Sequence, residues 1–256
     1  MRVAVIGGRG FVGSAFVRHC EDRRIPCDCI DLDNYREFSG GCYDLVVNAA
    51  GESRKFQVNR DPAGDLRYSL EPLLRSFGDF SFSGYVYISS VDVYSDHEDP
   101  ERSREEAEID LRRISHYGFH KYLGERMVIH HCSRFLIIRL GGVLGPGLRK
   151  NPVYDLIHNL PLRVDEASEY QYLTTDFLAG AVFNLAGTED WNGIFNVCGT
   201  GTVSLAEVRN WLGRDLSYDG EECSRERYEI SNEKISRLFP VPDSRKTVRE
   251  FIAGVQ

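Results

Sequence analysis

Short apolar runs rich in Val, Ile, Leu and Tyr alternate with stretches of helical period through most of the chain. Val3–Ile6, Cys27–Asp31, Leu45–Asn48, Tyr85–Ser89 and Phe135–Leu140 are bounded by glycine or polar residues, a pattern that predicts five strands. Between them, apolar positions recur every three or four residues near Val12–Asp22, Pro62–Phe77 and Ile114–Cys132, which predicts helices. Leu66, Leu70, Leu73 and Leu74 share a face of the second, while Tyr117, Lys121 and Glu125 share a face of the third. Strands alternating with helices build an α/β fold: a doubly wound, mostly parallel sheet with right-handed crossovers.

Only twelve residues separate Asp31 from Asp44, Gly40 and Gly41 among them, too few for a helix and a strand, so one βα unit is cut down. Glycine and proline punctuate the chain at Gly145, Pro146, Gly147 and Pro152, and shorter elements follow. The expected division is a first domain over 1–144 and a smaller lobe over 145–256. Helix Asp176–Ala186 and strand Ile194–Val197 are able to pack back on the sheet. The charged stretch Asp96–Arg113 reads as a solvated loop with a polar helix.

Composition narrows the function. The 256 residues are 42% hydrophobic and 27% charged, an ordinary globular balance, and the net charge of −8 without a basic cluster argues against a nucleic-acid surface. Seven scattered cysteines with no C-x-x-C pair suit a reducing cytoplasm, and seven histidines without ligand spacing argue against a metal. The opening strand runs straight into glycines and lacks the apolar length of a signal peptide or membrane span, so a cytoplasmic location is expected.

Those glycines carry the first candidate chemistry. In Val5-Ile6-Gly7-Gly8-Arg9-Gly10-Phe11-Val12-Gly13, Gly7, Gly10 and Gly13 have G-x-x-G-x-x-G spacing between a strand and a helix. The first glycine permits a tight turn, the second admits a pyrophosphate close to the backbone, and the third allows close helix packing, with phosphate held at the helix N-terminus. Asp31 ends the next strand, where a carboxylate bonds the adenosine ribose and favours NAD. Arg9 and Arg36 are the opposing cue, because either could pair with the 2′-phosphate of NADP.

The second candidate chemistry lies at the end of Tyr85-Val86-Tyr87-Ile88-Ser89-Ser90. A hydroxyl there can hold a substrate oxygen. Downstream, Tyr117 and Lys121 stand at i and i+4, so one helix face carries both. An ammonium beside a phenol stabilises the phenolate and brings it toward the range of a general acid/base.

These motifs, in this order, resemble the extended short-chain dehydrogenase/reductases, also called the NAD-dependent epimerase/dehydratase family. The resemblance takes in the glycine loop, the strand Asp44-Leu45-Val46-Val47-Asn48-Ala49-Ala50-Gly51, Ser89-Ser90-Val91-Asp92-Val93-Tyr94, and Tyr117 to Lys121 with Glu125. Arg139 to Gly147, Asn196-Val197 and Ser204-Leu205-Ala206-Glu207 extend it through nearly the whole chain.

The resemblance implies a Rossmann domain with a substrate-binding lobe. Tyr117 would be the general acid/base, Lys121 would lower its pKa and bind the nicotinamide ribose, and Ser90 would bond the reacting oxygen. Ala49, Ala50 and Gly51 would floor the cofactor site, and Ser90, Val91, Asp92, Tyr117 and Arg149 would meet a nucleotide sugar. Dehydrating members usually carry two acids after the serine or threonine. Here Val91 and Asp92 supply one, which inclines the chain to a 4-keto-sugar reductase or an epimerase. The alternative is a non-catalytic NAD(P)-binding sensor or scaffold on the same fold. Ser53-Arg54-Lys55 is read as a phosphate contact or a solvated turn, and His116 and His120 are expected to face away from Tyr117. The resemblance further implies a homodimer through helix Ile114–Cys132.

Overall fold

A computed structural model describes residues 1–51, 55–188, 191–215, 217–219 and 223–255, with Phe56 placed by its backbone alone. The chain forms two compact units, one of residues 1–95, 108–140 and 178–195, the other of 96–107, 141–177 and 196–256.

The first unit is built on β1 (Val3–Ile6), α1 (Gly13–Asp22), β2 (Cys27–Ile30), β3 (Cys42–Asn48), α2 (Glu71–Asp79), β4 (Ser81–Ser90), α3 (His116–His131) and β5 (Phe135–Leu140). The six-stranded sheet runs β2-β1-β3-β4-β5-β6, where β6 is Gly193–Val197. All pairings from β2 to β5 are parallel. Every residue of β1 is buried, as is Tyr85 to Ser90 of β4, because a parallel sheet is covered on both faces. That double burial is why the strands read as apolar runs. The chain passes from β2 to β3 through a single 3-10 turn, Tyr35–Phe38, so the cut-down unit is present and one strand alone lies outside β1.

Parallel register decides where the site forms. Ile6 pairs with Asn48 and Asn48 with Tyr87, so the C-terminal ends of β1, β3 and β4 lie side by side.

Two expectations change. The predicted helix Pro62–Phe77 is broken into Pro62–Asp65, a wide π turn over Leu66–Leu70, and α2. Pro72 has no N–H for the carbonyl of Tyr68, and its ring crowds that carbonyl, so the turn widens. The widening rotates the leucine face: Leu70 and Leu73 are buried, while Leu66 is 40% and Leu74 47% exposed.

Residues 96–107 are not a simple solvated loop. They contain a 3-10 turn, Pro100–Arg102, and no α-helix, and Ser103 and Glu105 are buried within the second unit. Glu105 Oε1 accepts the Asn196 backbone N–H at 2.8 Å, and Asn196 Nδ2 donates to the carbonyls of Ser103 and Ser231 at 2.7 and 2.8 Å. The segment's charges hide these pairings from any census of composition.

The rest of the second unit holds two short ribbons, Gly142–Leu144 with Tyr172–Thr174 and Glu169–Tyr170 with Val203–Ser204. Helices Pro152–Ile157, Leu205–Leu212 and Ser244–Val255 pack around Leu144, Leu162 and Tyr172. A Ser204–Glu207 capping box starts the second of these helices. Residues 178–186, the body of α4 (Thr175–Ala186), belong to the first unit, where Phe183 stacks on His19 of α1 at 4.6 Å between ring centres. Among the described residues no helix is long and apolar enough to cross a membrane.

Candidate active site

The glycine loop is as tight as its spacing predicts. Gly7 has φ +77 and donates its N–H to Ile30 O at 2.7 Å. A Cβ on Gly7 would lie 2.8 Å from Ala50 N, and one on Gly13 would lie 2.0 Å from Gly7 O. Neither contact is open to a residue with a side chain, so the loop lies directly against the end of β3 and the start of α1. Phe11 and Val12 complete the turn half-buried. Val12, at the N-cap position, offers no side-chain acceptor, and the Ser14 and Ala15 N–H groups donate to Gly10 O and Val12 O at 2.9 and 3.2 Å, which ties the start of α1 to the loop. These features fit a dinucleotide pyrophosphate.

At the end of β2, Asp31 Oδ2 accepts the Arg9 backbone N–H at 3.2 Å, and Arg9 Nη1 donates to Asp33 Oδ2 at 2.6 Å. Arg9 Nε also stands 3.7 Å from Asp31. The arginine that the sequence offers to a 2′-phosphate is thus held between two carboxylates. Arg36 is exposed on the 3-10 turn that follows.

Helix α3 brings the remaining residues to the end of β4. Ser115 caps it, accepting Gly118 N–H at 3.1 Å. A Cβ on Gly118 would lie 2.0 Å from Asp92 O, and one on Gly124 would lie 2.3 Å from Tyr87 Oη, so these glycines let the helix touch the strand and its following turn. Tyr117 is buried in the first turn, its N–H donating to Asn59 Oδ1 at 3.3 Å. Lys121 Nζ donates to Ile88 O at 2.9 Å and sits 5.3 Å from the centre of the Tyr87 ring. Burial pushes Lys121 down to about 8, opposed by the negative charges of Asp65, Glu125 and Asp92.

Ser90 Oγ donates to Asp92 Oδ2 at 2.7 Å, and Lys55 Nζ donates to Asp92 Oδ1 at 2.6 Å. Val91 is buried beside them. Lys55, half exposed at the start of the helix Lys55–Arg60, is thus tied to an acid 37 positions away. Ser53 and Arg54 lie outside the described residues. Arg149 is exposed in the second unit, ahead of helix Pro152–Ile157.

The pairings within two buried polar clusters near these residues are not visible in the chain. Glu125 accepts Arg139 Nε and Nη2 at 3.0 and 2.9 Å and Ser89 Oγ at 2.6 Å, while Arg139 Nη1 donates to Tyr94 Oη at 2.8 Å. Asp65 pairs with His120 and Ser69. His120 is buried on that acid. The i, i+4 spacing of Asp65 and Ser69 was the only local signal, and nothing local points to His120.

No curated protein matches the chain by sequence. Among solved structures it is similar to a dTDP-4-dehydrorhamnose reductase from Clostridium acetobutylicum, at 18% identity and TM-score 0.80, with 100% of each chain covered. It is also similar to the Thermus thermophilus UDP-glucose 4-epimerase complex with NAD, at 18% identity and TM-score 0.73, covering 99% of this chain and 98% of that one. A Bacillus anthracis dTDP-4-dehydrorhamnose reductase in complex with NADP aligns at 15% identity and TM-score 0.79, with 99% and 98% covered. At such identities the likeness speaks for the fold, a Rossmann-type α/β sheet. The model of the NAD dependent epimerase/dehydratase family matches residues 3–175, which take in the glycine loop, Ser90, Tyr117 and Lys121. The chain belongs to the NAD dependent epimerase/dehydratase family.

Proposed function

We propose that this protein is an NAD(P)-dependent enzyme that oxidises, reduces or epimerises a carbinol carbon of a nucleotide-activated sugar, as a 4-keto-sugar reductase or an epimerase. The observation that carries the reading is that one unit holds the glycine loop, Ser90 and the Tyr117–Lys121 turn together. The similarity of the fold to a dTDP-4-dehydrorhamnose reductase and a UDP-glucose 4-epimerase supports the substrate class.

Gly7, Arg9, Gly10, Phe11, Val12 and Gly13 would hold the dinucleotide, with Asp31 on the adenosine ribose, Ala49 to Gly51 beneath, and Lys121 on the second ribose. The bound cofactor accepts or supplies a hydride. Tyr117 takes the hydroxyl proton in oxidation and returns it in reduction. Lys121, charged and close by, stabilises the phenolate. Ser90 positions the reacting oxygen and leaves proton transfer to the phenol. Val91 provides no acid, and Asp92 is engaged by Ser90 and Lys55, which favours reduction or epimerisation over dehydration. Asp31, together with an Arg9 already paired, favours NAD.

Tyr117→Phe tests the assignment on a panel of UDP- and dTDP-sugars. NADH binding should persist while turnover falls roughly 10²- to 10⁴-fold, the scale of a lost acid/base. Unchanged turnover overturns it.

A further inference from the structure

Behind Lys121 lies a buried cluster that the proposed reaction leaves unused. Asp65 and His120 are both buried, and His120 Nδ1 stands 2.6 Å from Asp65 Oδ2. Ser69 Oγ donates to the other oxygen, Oδ1, at 2.7 Å. Both carboxylate oxygens are engaged, so the acid is held in one orientation. A buried acid and imidazole stabilise a fold poorly compared with apolar residues of the same volume, so their presence points to a role besides packing.

Gly51 locates the cluster relative to Lys121. Its φ is +130, and a Cβ there would lie 3.3 Å from Ser69 Oγ and 3.7 Å from Lys121 Nζ. The hydroxyl and the amine therefore border the same small space. The groups facing the amine are Ile88 O and the Tyr87 ring on β4, Asp92 after β4, Glu125 on α3, and Asp65. Glu125 already answers Arg139, and Asp92 already answers Lys55. Among the described residues, the partners of Asp65 are His120 and Ser69, with no such fixed guanidinium or ammonium. Asp65 is also the largest of the charges that oppose the desolvation of Lys121.

We propose that Asp65, clamped by His120 and Ser69, is the positioning residue for Lys121, the buried counter-charge that keeps this amine protonated beside Tyr117. Any consequence for turnover rests on the role given to Lys121 above, whereas the consequence for the amine does not.

The test uses the whole protein with ¹³Cε-labelled lysine, the Lys121 signal being identified by its loss in Lys121→Arg. The amine is titrated by NMR without cofactor or substrate. Asp65→Asn keeps the shape and removes the charge, and it should lower the Lys121 midpoint by about one pH unit, the lower end of the effect of a nearby opposite charge. Asp65→Glu should recover most of it. An unchanged midpoint in folded Asp65→Asn overturns the proposal. Should that variant not fold, His120→Gln decides: its amide still donates to an ionised Asp65, so the midpoint stays at or above the native value, and a fall overturns the proposal. A lowered midpoint in Asp65→Asn with native turnover at pH 7 supports the counter-charge and counts instead against the function assigned to Lys121.

Discussion

Replacing Glu125 with Gln changes no volume and removes one charge from the interior of the first unit. Glu125 is 1% exposed and its partner Arg139 2%. The carboxylate receives two guanidinium N–H groups and the Ser89 hydroxyl, so the native cation is fully answered. A carboxamide offers one acceptor and turns an N–H₂ toward the guanidinium. Arg139 then keeps the Tyr94 hydroxyl and the face of its ring, 4.9 Å away, and loses the charge of Glu125. Breaking one side of such a buried pair costs about 3–5 kcal/mol. For a chain of this size that corresponds to roughly 6–20 °C in Tm. Urea unfolding followed by far-UV circular dichroism, with an unchanged slope, measures it. The double variant Glu125→Leu with Arg139→Met removes both charges and should return to within about 2 kcal/mol of the native protein. The reasoning fails if Glu125→Gln lies within about 1 kcal/mol of native, or if the double variant is less stable than the single one.

Gly13→Ala would set a methyl group 2.0 Å from Gly7 O, so α1 must move away from the loop, and NADH affinity should fall more than roughly tenfold; a native titration by NADH fluorescence contradicts this. Asp33→Asn releases Arg9 from its 2.6 Å contact, and the NADPH-to-NADH affinity ratio should rise by roughly tenfold, the scale of one charge-assisted hydrogen bond; an unchanged ratio removes Arg9 from cofactor choice. Lys121 titrates at about 8 in the fold and at 10.5 ordinarily, so between those values the unfolded chain holds more protons and stability rises with pH. Below pH 8 the penalty for its part-buried charge is complete. Lys121→Met should therefore gain most over the native protein at neutral pH, with the gap narrowing toward pH 10.5 in urea midpoints; a constant gap refutes the desolvation of the amine.

The strands were legible because a parallel sheet buries both of its faces, which leaves runs such as Val3–Ile6 and Phe135–Leu140 continuously apolar. The glycine loop was legible because contacts at 2.0–2.8 Å admit only glycine, and the Tyr117–Lys121 face because helical spacing alone places residues four apart on one side. These are local constraints, so the chain by itself determined the fold class, the loop and the helix face. The cut-down unit was equally visible, since chain length between Asp31 and Asp44 sets its own limit.

Tertiary structure decided the partners. Asp65 meets His120 across 55 positions, Lys55 meets Asp92 across 37, and Asn196 meets Glu105 across 91. None of these pairs has a spacing to announce it, because a hydrogen bond depends on distance in space, and topology sets that only after the sheet has formed. The same holds for the leucines after Asp65, where one proline shifts the helical phase and sends Leu66 and Leu74 to solvent. Sequence thus determined which backbone elements exist, and long-range packing determined which charges they bury together.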